Sequence, residues 1–346
     1  MIFDWNMDGY HFFAISSDGE SGGIYDVTLN TETGAMTSSL RTRCPHLNYL
    51  IHDSARKMFY GSISRFAADG TGGLAVFDAD CKLLRSVPTD GKNTCHLTLS
   101  PDGKFLYTAQ YGDGSISEFP LDDAGEPGAP RIFRQRGKGD APDLQSEPHA
   151  HFAGFSPEGD RLLTVDLGLD SVFIYPWQEG AGITGEPAAV QVPAGDGPRH
   201  LIFSAAGDRF FTANELGSTA STFTWQDGGA ELLETVTTLV QTPVMQSWPG
   251  AIRLSPDGRY LLISNRGDDS IAAFEVMSDG LKLIRTTGCG GHWPRDFVFT
   301  PDGKFVITAN ERSGNLASFR YCAENGGLIP CGRSAEIPTV LNCLCL

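Results

Sequence analysis

The chain has 346 residues, and its 42 Asp and Glu against 26 Lys and Arg give a formal charge of −16. Such a field repels nucleic acid and anionic membranes, which excludes both as partners, and it also repels an anionic small molecule unless a local basic pocket overrides it. With 40% of residues hydrophobic and 20% charged, the balance is that of a globular protein with a substantial core.

The first residues, MIFDWNMDGYHFF, lack a basic segment followed by an extended apolar one. No apolar run reaches the roughly 18 residues of a membrane span. A cytoplasmic location is therefore expected. The eight cysteines form neither a C-x-x-C pair nor a zinc spacing, and are expected to be free and mostly buried thiols. No metal is expected, since no His, Cys or carboxylate set completes a site by spacing.

From residue 12 onward the chain reads as short strands. FFAISS and GGIYDVTLNTETGAMT come first, and then one pattern recurs: apolar strand, a turn resembling Ser/Thr-Pro-Asp-Gly, apolar strand. The copies begin at Leu50, Leu97, Phe152, Leu201, Ile252 and Phe297, and the proline slot is filled by Ser54, Pro101, Pro157, Ala205, Pro256 and Pro301. The successive spacings are 47, 56, 48, 51 and 45 residues, usually with two further strand-like runs between copies. In the turn, Pro presets its own φ, Asp bonds the local backbone and Gly accepts a positive φ. Four short strands per unit of this length mark a β-propeller blade. Six blades are complete in sequence. AEIPTVLNCLCL at the end supplies the inner strand missing at the start, so the prediction is an all-β, seven-bladed propeller of four-stranded antiparallel blades. The two ends share one blade, and residues 1–346 form a single domain. Residues 120–148 are the longest irregular stretch, with an outer strand expected at RIFRQ. A β-sandwich or two smaller domains is the competing architecture.

Aligning the copies shows which residues meet. Six positions before the proline slot stand Asn48, Cys95, His151, Arg199, Gly250 and Arg295; ten after it stand Ser64, Tyr111, Leu167, Glu215, Arg266 and Glu311. Two antiparallel strands return the chain to the end where they began, so both sets belong to one face around the central axis. A repeat kept for packing alone does not require His, three Arg and two Glu there. Arginines bind phosphate or carboxylate through charge-assisted, often bidentate bonds. A histidine with its ordinary pKa suits a general base. Glu215 suits either protonation of a leaving oxygen or orientation of an Arg or His. The candidate catalytic residues are His151, Glu215, Arg199 and Arg266, and the candidate substrate contacts are Arg295, His149, His200, Glu311 and Tyr111. Each also has a purely structural reading, as a rim contact or an interblade ion pair. His96 and His200 stand one residue out of phase with the slot and read more readily as blade anchors. Asn214, Asn265 and Asn310, nine after the slot, read as Asx-turns.

Taken together, PHAHFAGFSPEG, GPRHLIFSAAG with TANEL, LSPDGRYLLISNRGDDSIAAF and WPRDFVFTPDGKFVITANERSGNLASF resemble the lactonase family of seven-bladed propellers, which includes propeller-type 6-phosphogluconolactonases and carboxy-cis,cis-muconate cyclases. The resemblance covers nearly the whole chain. It implies a site of His151, Arg199, Glu215 and Arg266 without metal or organic cofactor. The chain departs from the family pattern at Gln110, where Asn is common, and at Glu311, where Gln is frequent. The expectation is a hydrolase that opens 6-phosphogluconolactone in the pentose phosphate pathway, as a monomer or weak homo-oligomer with a small anionic sugar lactone or organic acid as partner. The alternatives are a lactonizing cycloisomerase, a lactonase for another acid, or a non-catalytic binding propeller. An apolar top face centred on Trp248 and Trp293 without a basic pocket would favour the last.

Overall fold

A computed structural model of the chain describes residues 9–141, 143–241 and 246–346, so Met1 to Asp8, in the segment read as lacking a leader, lie outside it. The strands form seven antiparallel sheets, each made from consecutive strands except one. That one joins the chain ends: Val340–Leu344 is the inner strand, followed by Tyr10–Ser16, Gly23–Leu29 and Met36–Arg43. The closing pair is antiparallel, with Phe13 opposite Leu344 and Ile15 opposite Asn342. Closure thus pairs the inner edge of Tyr10–Ser16, which would otherwise stand open. The blade that starts at Ala150–Phe155 carries an extra two-residue strand, Gly182–Ile183, beside its outer strand Ala188–Gln191. RIFRQ supplies the outer strand Arg131–Arg134, paired with Ser115–Pro120.

The repeated turn is built as its composition predicts. In one copy Ser100 Oγ donates to Asp102 Oδ1 at 2.6 Å, Lys104 N donates to the same oxygen at 3.0 Å, and Gly103 has φ +67°. Asp257 with Gly258 and Asp302 with Gly303 repeat the arrangement, at φ +71° and +69°.

Each core lies between two successive blades. Leu163, Val165, Val172 and Ile174 of one sheet pack on Leu201, Phe210, Phe223 and Trp225 of the next. Across the closure, Phe12, Ala14 and Val27 meet Phe305, Ile307, Leu316 and Val340. Each such side chain removed from water contributes about 1.5–3 kcal/mol. The inward-facing period-2 residues thus fix the register and, through it, the face on which each strand starts.

One feature of the inner strands was not legible in the sequence. Every blade carries a β-bulge at the same place. Pro198 pairs with Asn214 and His200 with Ala213, which leaves Arg199 as the extra residue. Asn48, Cys95, His151 and Arg295 are left over in the same way, as is Leu341 in the closing blade. In the seventh, the shift spans Gly250 and Ala251. A bulge bends the strand and re-aims its side chains. The inner strand containing Arg199 runs over Pro198–Phe203, with the bulge near its start.

Candidate active site

In a regular strand adjacent side chains point to opposite faces. The bulge removes that alternation. Asn48 and Tyr49, Arg199 and His200, and Arg295 and Asp296 line a single narrow cavity on the axis, together with Cys95 and Leu341. Its volume is about 10 Å³, room for one water molecule. His200 is therefore not out of phase with the charged ring.

Glu215 is the hub of the mouth. Its Oε2 lies 2.5 Å from Arg266 Nη2 and 3.2 Å from Arg199 Nε, as ion pairs rather than aligned hydrogen bonds. Both arginines are about 95% buried and fixed by backbone as well. Arg199 Nη1 donates to Gly250 O at 2.8 Å, and Arg266 donates to Trp248 O and Pro249 O at 3.0 Å each. Burial works to raise the pKa of Glu215, but Arg266 and Arg199 outweigh it and hold the carboxylate below its ordinary range. An ionised Glu215 orients two guanidiniums; it has no proton to give a leaving oxygen. Burial, then Arg266 and Arg295, push Arg199 down to about 9, which leaves it charged at neutral pH.

His151 is 4% exposed. Its ring stands edge-on to Tyr111 at 5.7 Å and to His200 at 5.3 Å, and its Nδ1 has no hydrogen-bond partner among the described residues. Burial, followed by Arg199, Arg295 and Arg266, drives its pKa well below the ordinary value, so the imidazole is neutral. His200 Nε2 lies 3.2 Å from Arg199 Nη1. A guanidinium only donates, so that nitrogen accepts and the proton of neutral His200 sits on Nδ1. His200 thus positions Arg199 and packs edge-on to His96 and tilted against Phe152; its Nε2 is spent on Arg199.

The remaining candidates lie around this centre. His149 stacks on Tyr111 at 4.5 Å and its Nδ1 lies 2.7 Å from Tyr111 O, so the two form one side of the rim. Arg295 Nη1 donates to Glu311 Oε2 at 3.2 Å. The departure at Glu311 thus gives Arg295 a counter-charge. Gln110, the other departure, is fully buried among Thr108 and Ser117. Cys95 faces the carbonyls of Ala109 and His151 and is pushed up to about 12 by burial, an inert thiol. Asn214, Asn265 and Asn310 do not form the expected Asx-turns. The Asn214 amide reaches Ser221 Oγ within its own blade, whereas those of Asn265 and Asn310 reach Thr238 O and Cys289 O, just past the outer strand of the preceding blade. Whether an Asn closes a local turn or reaches a distant carbonyl depends on three-dimensional proximity.

Two groups of functional interest lie outside the aligned slots considered above. Below the mouth, Arg253 Nη2 pairs with Asp296 Oδ1 at 2.7 Å, and Asn342 Nδ2 donates to Asp296 Oδ2 at 2.6 Å, which ties the closing strand to the axis. At the rim, the Trp248 and Trp293 rings lie 5.2 Å apart. Arg266 and Arg312 both stand over Trp293. The tryptophans therefore belong to a basic mouth, not to an apolar face. A larger hollow of 510 Å³ lies at the turn-bearing end, lined by Asp102, Glu158, Asp160 and Glu179; its acidic wall does not suit an anion. Among the described residues no group of three His, Cys, Asp or Glu is placed to hold a metal ion, and no helix is long and apolar enough to cross a membrane.

Residues 11–344 match the family described as lactonase, 7-bladed beta-propeller. The 6-phosphogluconolactonase of Bacillus subtilis (strain 168) is 31% identical over 267 residues, 75% of each chain. A solved protein from Lactobacillus plantarum superposes with a TM-score of 0.89 at 28% identity, over 97% of this chain and 98% of its own. The periplasmic gluconolactonase of Pseudomonas aeruginosa superposes with a TM-score of 0.86 at 26% identity, over 96% and 98%. That relative is periplasmic, so the family does not by itself carry the expected cytoplasmic location. The chain belongs to the lactonase family of seven-bladed β-propellers.

Proposed function

We propose that the protein hydrolyses a sugar lactone, with 6-phosphogluconolactone as its substrate, at the mouth formed by His151, Arg199, Glu215 and Arg266. The observation that carries this reading is a neutral, buried imidazole with an unpartnered ring nitrogen beside two guanidiniums held by one carboxylate. N–H groups of Arg199 and Arg266 face the charge that develops on the lactone carbonyl oxygen; preorganised donors are the strongest lever for such a step. His151 accepts a proton as water adds to the carbonyl carbon. When the ring C–O bond breaks, that proton passes to the leaving oxygen, and the product is the open acid. Three guanidiniums keep His151 a weak base in the free protein. An anionic substrate offsets them and strengthens the base as it binds. Glu215 takes no part in proton transfer.

The substrate assignment rests on the Bacillus relative and on the cationic mouth of an otherwise acidic protein. The test is lactone loss measured against the spontaneous rate. Wild-type protein accelerates it, and His151→Gln lowers kcat by about 10²–10⁴, the usual weight of a general base. No acceleration by pure protein refutes the activity. Full activity in both His151→Gln and Arg199→Ala refutes the site.

A further inference from the structure

The position eight before the proline slot forms an outer rim of the mouth: His46, Asn93, His149, Gly197, Trp248 and Trp293, with Thr339 in the closing blade. Five of these have left-handed backbone: His46, Asn93, Gly197, Trp293 and Thr339, at φ from +49° to +67°. The conformation recurs ahead of five of the seven bulges, so it belongs to the fold rather than to any one residue. Gly and Asn adopt it readily; an indole-bearing residue does not. Trp293 holds the largest of these angles, +67°. It is kept there by Asp269, whose Oδ1 accepts from Trp293 N at 2.7 Å and whose Oδ2 lies 2.7 Å from His292 Nδ1. A strained backbone with a dedicated clamp marks a side chain kept for what it does.

Trp293 holds a guanidinium. Arg312 Cζ lies 3.2 Å from the ring centroid, and Arg266 Cζ lies 5.8 Å from it. The charges differ in availability. Arg199 and Arg266 share Glu215, and Arg295 has Glu311. Asp269 is committed to His292 and the Trp293 backbone. Arg312 is exposed and, among the described residues, has no carboxylate within 4.0 Å. Cation–π attraction to the indole face holds a guanidinium in place while its N–H groups stay available to an anion.

We propose that Arg312, held on Trp293, binds the distal phosphate of the substrate and so sets the preference for a phosphorylated over a plain sugar lactone. The inference rests on the lactonase reading and adds to it: Arg266 and Glu215 act at the lactone, Arg312 at the far end of the same molecule. One indole spaces the two guanidiniums, whose carbons are at most about 9 Å apart given their distances from its centre.

The experiment compares 6-phosphogluconolactone with gluconolactone in wild-type protein, Arg312→Gln and Trp293→Asn, and follows indole fluorescence during titration with inorganic phosphate. Losing one charge-assisted contact at an exposed site lowers the ratio of kcat/KM, phosphorylated over plain, by about tenfold in Arg312→Gln, mainly through KM. Trp293→Asn, which suits the left-handed backbone, lowers the ratio in the same direction. Phosphate alters the wild-type fluorescence and leaves that of Arg312→Gln unchanged. An unchanged ratio in Arg312→Gln overturns the proposal. If neither lactone is turned over, the lactonase reading fails separately and the phosphate titration decides: a response that wild type lacks, or shares with Arg312→Gln, overturns it.

Discussion

Acid is expected to unfold this protein through its axis. His96, His151 and His200 are buried and neutral, with pKa driven down by burial and then by arginines: Arg253 and Arg199 for His96, which falls to about 3, Arg199 foremost for the other two. In the unfolded chain all three titrate near 6.5. Between that value and their folded values the unfolded state therefore binds three more protons, and stability falls as pH falls. Asp166 works in the opposite sense. Burial raises its pKa to about 7, so the folded state already carries a proton there that the unfolded state binds only below about 4. Two protons net, at about 1.4 kcal/mol each per pH unit, remove about 3 kcal/mol between pH 6 and pH 5. Set against a typical 5–15 kcal/mol, this is a large share. Urea unfolding at pH 7.5, 6.0, 5.5 and 5.0 measures it. His96→Phe keeps an aromatic ring between Tyr49 and Phe152, which lie 4.5 Å away by ring centroids, and removes one titrating group. Its slope is expected to be about half that of wild type. A flat wild-type profile between pH 6 and 5, or an unchanged slope in His96→Phe, refutes the reasoning.

Other outcomes are measurable alongside. Because His151 stays neutral well below its ordinary pKa, the acid limb of kcat/KM should lie below pH 6.5; a limb at or above 6.5 contradicts its placement among three guanidiniums. Glu215→Gln leaves two buried arginines without their shared counter-charge, and a loss of about 3–5 kcal/mol is expected in urea unfolding. Deleting residues 340–346 strips the inner strand from the closing blade and exposes the edge of Tyr10–Ser16, so insoluble or protease-sensitive protein is expected. Cys44, Cys81, Cys95, Cys289 and Cys343 are buried with pKa raised by burial, so a thiol reagent should label at most three cysteines quickly in native protein and eight after denaturation.

The period of the chain was legible because each turn carries its own chemistry. Ser-Pro-Asp-Gly at residue 100 fixes a hairpin whatever surrounds it, and counting back from Pro157, Ala205 and Pro301 finds His151, Arg199 and Arg295 without any coordinates. The ring closure was legible for the same reason: an inner strand was missing at one end and surplus at the other. What the residues did not announce was the bulge. It has no glycine signature, since Asn48, Cys95, His151, Arg199 and Arg295 fill it in turn. Without it, period-2 reasoning sends His200 and Asp296 to the wrong face and hides the Arg253–Asp296 pair. A signal was available: Asp296 and Arg253 are charges inside otherwise apolar inner strands.

A slot shared by seven blades separates what the fold demands from what one position adds. Left-handed backbone recurs at His46, Asn93, Gly197, Trp293 and Thr339, so it belongs to the fold. The indole at Trp293 has no counterpart among the other four, and Arg312 stands on it. The same subtraction applied one layer down removes the bulge as scaffold and leaves His151, Arg199 and Arg295 as the additions. In the outer layer it leaves an unneutralised cation; in the inner one, a neutral base between neutralised cations. A substrate with a reacting carbonyl at one end and a negative charge at the other meets both layers at once, whereas a plain lactone meets only the inner one. The selectivity ratio in Arg312→Gln reads the outer layer alone, and kcat in His151→Gln reads the inner one.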